Sequence, residues 1–93
     1  VSIHVPYDSR ETKLLARVRR IKGQVEAIER ALESEAGCAE VLQLVASVRG
    51  AFNGLTGELI EDHIQCHVLD VESADERRRG GKELIEVIRT YMK

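Results

Sequence analysis

The chain has 93 residues, a formal net charge of −2, 32% charged residues, 3% aromatics, no Trp and a single Pro near its start. That length fits one domain with a small aliphatic core, which an oligomer would enlarge. Two cysteines do not make a disulfide framework, and no apolar run is long enough to span a bilayer. A disulfide-stapled secreted mini-protein and a membrane-spanning helix are therefore not expected, whereas a cytoplasmic chain with reduced thiols is.

Residues 1–8 show no periodicity and read as a flexible arm. Asp8 and Glu11 have the spacing of a helix cap. Beyond them Leu14, Val18, Ile21, Val25, Ile28 and Leu32 step by four and three, the seam of a long amphipathic helix. Arg10, Lys13, Arg17, Arg19, Arg20 and Lys22 cluster in this segment, on its polar face, with only Glu11 opposing. Most charge runs are simply solvated, but this one is lopsided enough to form a phosphate-binding stripe despite the net negative charge.

Ser34 to Gly37 reads as a break. A second long helix then follows, with Val41, Val45, Val48, Phe52, Leu55 and Leu59 at the same alternating steps. Leu42, Leu44 and Ile60 fall off that seam, so more than one face is apolar and the helix calls for neighbours on two sides. Glycines at 50 and 54 cost about 1 kcal/mol each against alanine in a helix, which close approach of another helix would offset. After a break near Val71, Ser73 and Glu76 form a second capping signature. A shorter helix follows, with Leu84, Ile85, Ile88 and Tyr91 inward and an uncertain start because of Gly80-Gly81. The expected class is all-α, with two long amphipathic helices and a shorter third.

Cys38, His63 and His67 carry the chemistry. The histidines are four apart in a stretch with helical periodicity, so both imidazoles can face one ion. Cys38 lies 25 residues before His63, roughly 37 Å away along one continuous helix. One subunit cannot gather all three, whereas an antiparallel copy of the same helix can. A solvated or core-satisfied histidine pair and a buried structural cysteine are the plain alternatives. Cys66, three residues after His63, fits a ligand, a packing residue or a bystander.

Two short helices around a tight turn are missing, so DNA binding through a helix-turn-helix is not expected. A small helical enzyme of chorismate-mutase type would need buried cations, but here the basic residues share a polar face. A plain coiled-coil module would not need the Cys/His spacing.

The stretch from Arg17 to Arg30 (RVRRIKGQVEAIER), Cys38, the stretch from Val48 to Leu55 (VRGAFNGL) and His63 together resemble the CsoR/RcnR/FrmR family of bacterial transcriptional repressors, over about residues 9–93. The resemblance implies three-helix subunits that pair antiparallel and then form a disc-like homotetramer. It implies binding of operator DNA without ligand and release when an effector binds between subunits, with no enzyme activity and no further protein partner. Cys38 and His63 fall on the positions shared by sensing members, and His67 on the position that is His in nickel/cobalt sensors and Cys in copper(I) sensors. His4 is the candidate for the arm ligand of the nickel/cobalt type. Imidazole-rich sites suit nickel, cobalt and zinc better than copper(I). Nickel or cobalt is thus the expected effector, with zinc and copper(I) behind. The alternative is a formaldehyde response using Cys38 and the N-terminal amine. Lys13, Arg17, Arg20 and Arg49 are the expected phosphate contacts.

Overall fold

A computed structural model describes the backbone of residues 9–92 and the side chains of residues 11–92. The arm with His4 and the expected Asp8 cap lie outside the described residues. Among those described there are three α-helices and no strand: α1 (Ser9–Glu33), α2 (Cys38–Ile64) and α3 (Ala74–Tyr91), with a π-helical turn at Gln65–Leu69. The chain separates into two compact units, one up to Leu55 and one from Thr56 onward.

In the first unit α1 and the start of α2 form an antiparallel hairpin. Gln24 Nε2 donates to Ser47 Oγ at 3.1 Å, and the Arg17 guanidinium lies against Gly54, where a Cβ would sit 2.6 Å from Nη1. Gln24 is two helical turns beyond Arg17, and Ser47 is two turns before Gly54, so one register accounts for both contacts. The close approach expected at the α2 glycines occurs at Gly54. At Gly50 an added Cβ would meet nothing within 4 Å.

The turn between the helices closes as a Schellman motif. Ala36 N–H donates to Ala31 O at 2.9 Å and Glu35 N–H to Leu32 O at 3.2 Å, satisfying carbonyls that the helix end leaves open. Glu35 holds the left-handed position at φ 56°, which usually falls to glycine because a Cβ crowds the following carbonyl there. Glu35→Gly is expected to stabilise the protein by about 0.5–1 kcal/mol, the removed strain less the extra entropy of the unfolded chain. Urea unfolding at fixed protein concentration checks this, and an unchanged or lower midpoint would contradict it.

The seams resolve differently from the sequence expectation. In α1, Ile21 and Ala31 are buried, while Val18, Val25 and Leu32 are exposed, Leu32 by 62%. In α2, Val48 is buried, whereas Leu42, Val45, Phe52 and Leu59 are exposed. Each expected seam is therefore two stripes. One faces the hairpin partner and the other faces outward. At 3.6 residues per turn, successive seam positions lie about 40–60° apart around the axis. The hairpin therefore covers one alternating set (Leu14, Ile21 and Ile28; Val41, Val48 and Leu55) and leaves the other (Val18, Val25 and Leu32; Val45, Phe52 and Leu59) exposed.

The second unit joins the end of α2, the π-turn and α3. Asp70 N–H reaches back five residues to Gln65 O at 2.9 Å, and Gln65 Nε2 ties the turn by donating to Asp70 Oδ1 at 2.9 Å. Ser73 caps α3 as its spacing predicts. It is extended (φ −93°, ψ 145°), and its Oγ accepts from Glu76 N–H at 3.0 Å. The glycine pair does not delay the helix, because the cap at Ser73 fixes its start. Arg77 then anchors α3 on the turn, with Nε donating to Val68 O at 3.2 Å and Nη2 to Val71 O at 2.9 Å.

Candidate metal centre

His63 sits in the last turn of α2 and His67 in the π-turn. The sequence anticipates an uninterrupted α-helix here. The chain instead passes into i→i+5 bonding after Ile64. Single π-turns of this kind occur within helices, frequently at functional sites. The pairing of the two imidazoles survives the change: their ring centroids are 4.9 Å apart, with planes tilted by 37°. Both histidines are half-buried.

His63 Nε2 lies 2.9 Å from the Gly80 carbonyl oxygen. A carbonyl only accepts, so Nε2 carries the proton and donates, and the neutral ring keeps its lone pair on Nδ1. Metal-binding histidines commonly donate their second ring N–H to a carbonyl or carboxylate in this way. His67 also lines an open cleft of about 80 Å³ with Val71, Glu76, Arg79, Gly80 and Glu83.

Cys38 is the first residue of α2 and is exposed, in the first unit, whereas both histidines belong to the second. Among the described residues of one chain, no three His, Cys, Asp or Glu side chains are grouped to hold a metal ion. Cys66 is half-buried within the π-turn, on the chain between the two histidines.

Of the basic residues singled out, Lys13, Arg20 and Arg49 are exposed. Arg17 is half-buried, with its guanidinium packed against Gly54. A hydrophobic-pattern reading has no signal for that contact, although an arginine opposite a helix glycine is its sequence trace. Sequence reasoning also misses Gly80 as the partner of His63. In the sequence the Gly80-Gly81 pair reads only as a weakness in the helix, while Gly80 is among the few buried residues.

No helix among the described residues is long and apolar enough to cross a membrane. Residues 10–90 match the family described as metal-sensitive transcriptional repressor. The transcriptional repressor RcnR of Citrobacter koseri is 37% identical over 81 residues, covering 87% of this chain and 90% of that protein. A protein of Serratia marcescens encoded in the bioA 5′ region is 50% identical over 84 residues, covering 89% and 92%. A glutamate-to-histidine variant of the formaldehyde-responsive regulator FrmR from Salmonella enterica serovar Typhimurium has a structure matching at TM-score 0.83. It is 44% identical, over 92% of this chain and 99% of that one. The copper-sensing repressor CsoR with Cu(I) from Geobacillus thermodenitrificans NG80-2 matches at TM-score 0.85 over 96% and 94%. At 23% identity it speaks to the fold. The enzyme alternative falls away, since members of this family are repressors. With three helices among its described residues and a close histidine pair where the second of them ends, this chain, matched over residues 10–90, belongs to the metal-sensitive transcriptional repressors of the CsoR/RcnR/FrmR family.

Proposed function

We propose that this repressor responds to nickel or cobalt, held by Cys38 of one subunit and by His63 and His67 of its partner, and that metal binding releases operator DNA. The observation that carries the reading is the histidine pair, with rings 4.9 Å apart and His63 Nδ1 left available by the Gly80 bond. Two imidazoles and one thiolate suit nickel, cobalt or zinc, while copper(I) favours a softer donor set. His4, outside the described residues, is the candidate for an additional ligand from the arm.

The outward stripes support assembly. Cys38, Leu42, Val45, Arg49, Phe52, Thr56, Leu59 and His63 recur at steps of four and three along α2. One antiparallel pairing of two α2 helices sets Cys38 against His63, Leu42 against Leu59, and Val45 against Thr56, all in the same register. The apolar contacts of that pairing therefore deliver the thiol to the histidines. The outward stripe of α1 (Leu15, Val18, Val25 and Leu32) remains exposed, and a dimer of dimers would cover it. The repressor is proposed to be a cytoplasmic homotetramer, with operator DNA as its partner.

DNA contact is assigned to Lys13 and Arg20, with Arg17 nearby but engaged at Gly54, whereas Arg49, expected among them, falls on the α2 stripe that the same register sets against Phe52 of the second copy. Replacing Lys13 and Arg20 together should weaken operator binding and flatten the dependence of log K on log salt. The slope should fall by about 0.9 for each phosphate that is no longer neutralised. Fluorescence anisotropy across a salt series measures it, and an unchanged slope would move the interface elsewhere. Arg17 is a poor first test, because its removal also disturbs the hairpin.

Titration of operator-bound protein with nickel, cobalt, zinc, copper(I) and formaldehyde tests the effector. Release at the lowest free concentration is expected for nickel or cobalt. The second reading, formaldehyde acting on Cys38 and the N-terminal amine, is favoured by the 44% identity to the formaldehyde-responsive regulator. His67→Ala separates the two: it should abolish a metal response and leave a formaldehyde response intact.

A further inference from the structure

Gly80 and Gly81 sit side by side in α3, where each costs about 1 kcal/mol against alanine. Their surroundings differ sharply. A Cβ on Gly81 would meet nothing within 4 Å. A Cβ on Gly80 would collide with the His67 carbonyl oxygen and lie 2.9 Å from its carbonyl carbon and 3.1 Å from its Cβ. The oxygen and carbonyl carbon are main-chain atoms of the π-turn, so relief requires a shift of the turn or of α3. Gly80 is buried, and its carbonyl is the acceptor for His63 Nε2 at 2.9 Å. The missing side chain and the carbonyl thus act at one point: the first lets α3 reach the turn, and the second engages the ligand histidine.

We infer that Gly80 is a positioning residue of the effector site, holding His63 as the Nε2–H tautomer so that Nδ1 is the nitrogen presented to the metal. This deepens the metal-responsive reading and rests on it for the role of His63 as a ligand. The orienting partner is a main-chain carbonyl, fixed by helix geometry. A substitution elsewhere on α3 cannot swap it, and only the loss of close approach removes it. Arg77, which binds Val68 O and Val71 O, also keeps α3 on the turn. The remaining acceptor capacity of Gly80 O still serves the helix, since a carbonyl oxygen has two lone pairs.

The first test needs neither metal nor mutation. In ¹⁵N-histidine-labelled full-length protein without metal, at a pH where His63 is neutral, long-range ¹H–¹⁵N spectra should show the His63 proton on Nε2. A proton on Nδ1 would overturn the proposal whatever the effector proves to be. The second test compares Gly80→Ala with Gly81→Ala. Gly80→Ala should lose the single His63 tautomer and weaken nickel or cobalt binding about 10–100-fold, the usual cost of losing an outer-shell partner. Gly81→Ala should leave both unchanged. Equal effects of the two substitutions would reduce Gly80 to a helix-propensity effect and overturn the assignment. His63→Gln keeps a donor near the Nε2 position but removes the Nδ1 ligand. It should bind metal poorly yet unfold close to wild type, whereas His63→Ala should lose both. If His63→Gln and His63→Ala are equally destabilised, the bond to Gly80 does not hold the ring. A wild type with the expected tautomer that binds neither nickel nor cobalt would refute the metal reading alone.

Discussion

Cys38→Ala will abolish metal-triggered release of operator DNA while leaving metal-free operator binding intact. Cys38 is exposed at the start of α2, so its truncation creates no cavity within the subunit. In the proposed site it is the thiolate, and the link that makes metal binding report on how two subunits sit together. Without it the imidazoles can still hold an ion, but on one side of the interface. Coupling between effector and DNA should then vanish. Such couplings typically amount to about 1–3 kcal/mol, a factor of roughly 5–150 in affinity, and linkage demands the same factor when metal affinity is measured with and without DNA. Anisotropy of labelled operator with and without saturating nickel or cobalt checks one side, and metal titration with and without operator checks the other. Equal loss of operator binding in the metal-free variant would make Cys38 a structural residue. Retained release would remove it from the site.

Phe52→Glu will break the proposed subunit pairing. Phe52 lies mid-way along the outward stripe of α2 and is 49% exposed in the single chain. Full burial of an exposed phenylalanine contributes about 1.5–3 kcal/mol. Pairing buries the half of Phe52 that the single chain leaves exposed, about 0.8–1.5 kcal/mol, and a two-fold interface contains it twice. Losing both therefore removes roughly 1.5–3 kcal/mol per dimer. That corresponds to an increase in dissociation constant of about 10–150-fold, before the cost of burying a carboxylate. Sedimentation velocity over a dilution series should show the variant shifting to smaller species at concentrations where the wild type stays assembled. The variant should also lose thiolate–cobalt absorption, because Cys38 no longer meets the histidines. A wild type that is monomeric at micromolar concentration would sink both this prediction and the shared site.

The sequence legibly encoded what depends on neighbours along the chain. The break after Glu33, the Ser73 cap with its Glu76 partner, and the shared face of His63 and His67 all rest on spacings of three and four residues, set by local backbone geometry. The excess of apolar positions on α1 and α2 was equally visible as composition.

Tertiary structure alone decided which of those positions face inward. Val18 and Ile21 read alike in the sequence, yet Ile21 is buried and Val18 is not, because the antiparallel hairpin admits only one side of α1. Arg17 reads as a surface cation until α2 offers Gly54, a residue small enough for its guanidinium to lie against. The π-turn and the His63–Gly80 bond belong to the same class. They arise where α3 meets the end of α2, between residues 17 positions apart, and no local periodicity carries such a contact. The sequence by itself therefore determined the candidate ligand types and their helical spacing. The ring nitrogen left available to a metal was decided by packing, since a tautomer follows from the hydrogen bond that a distant carbonyl makes.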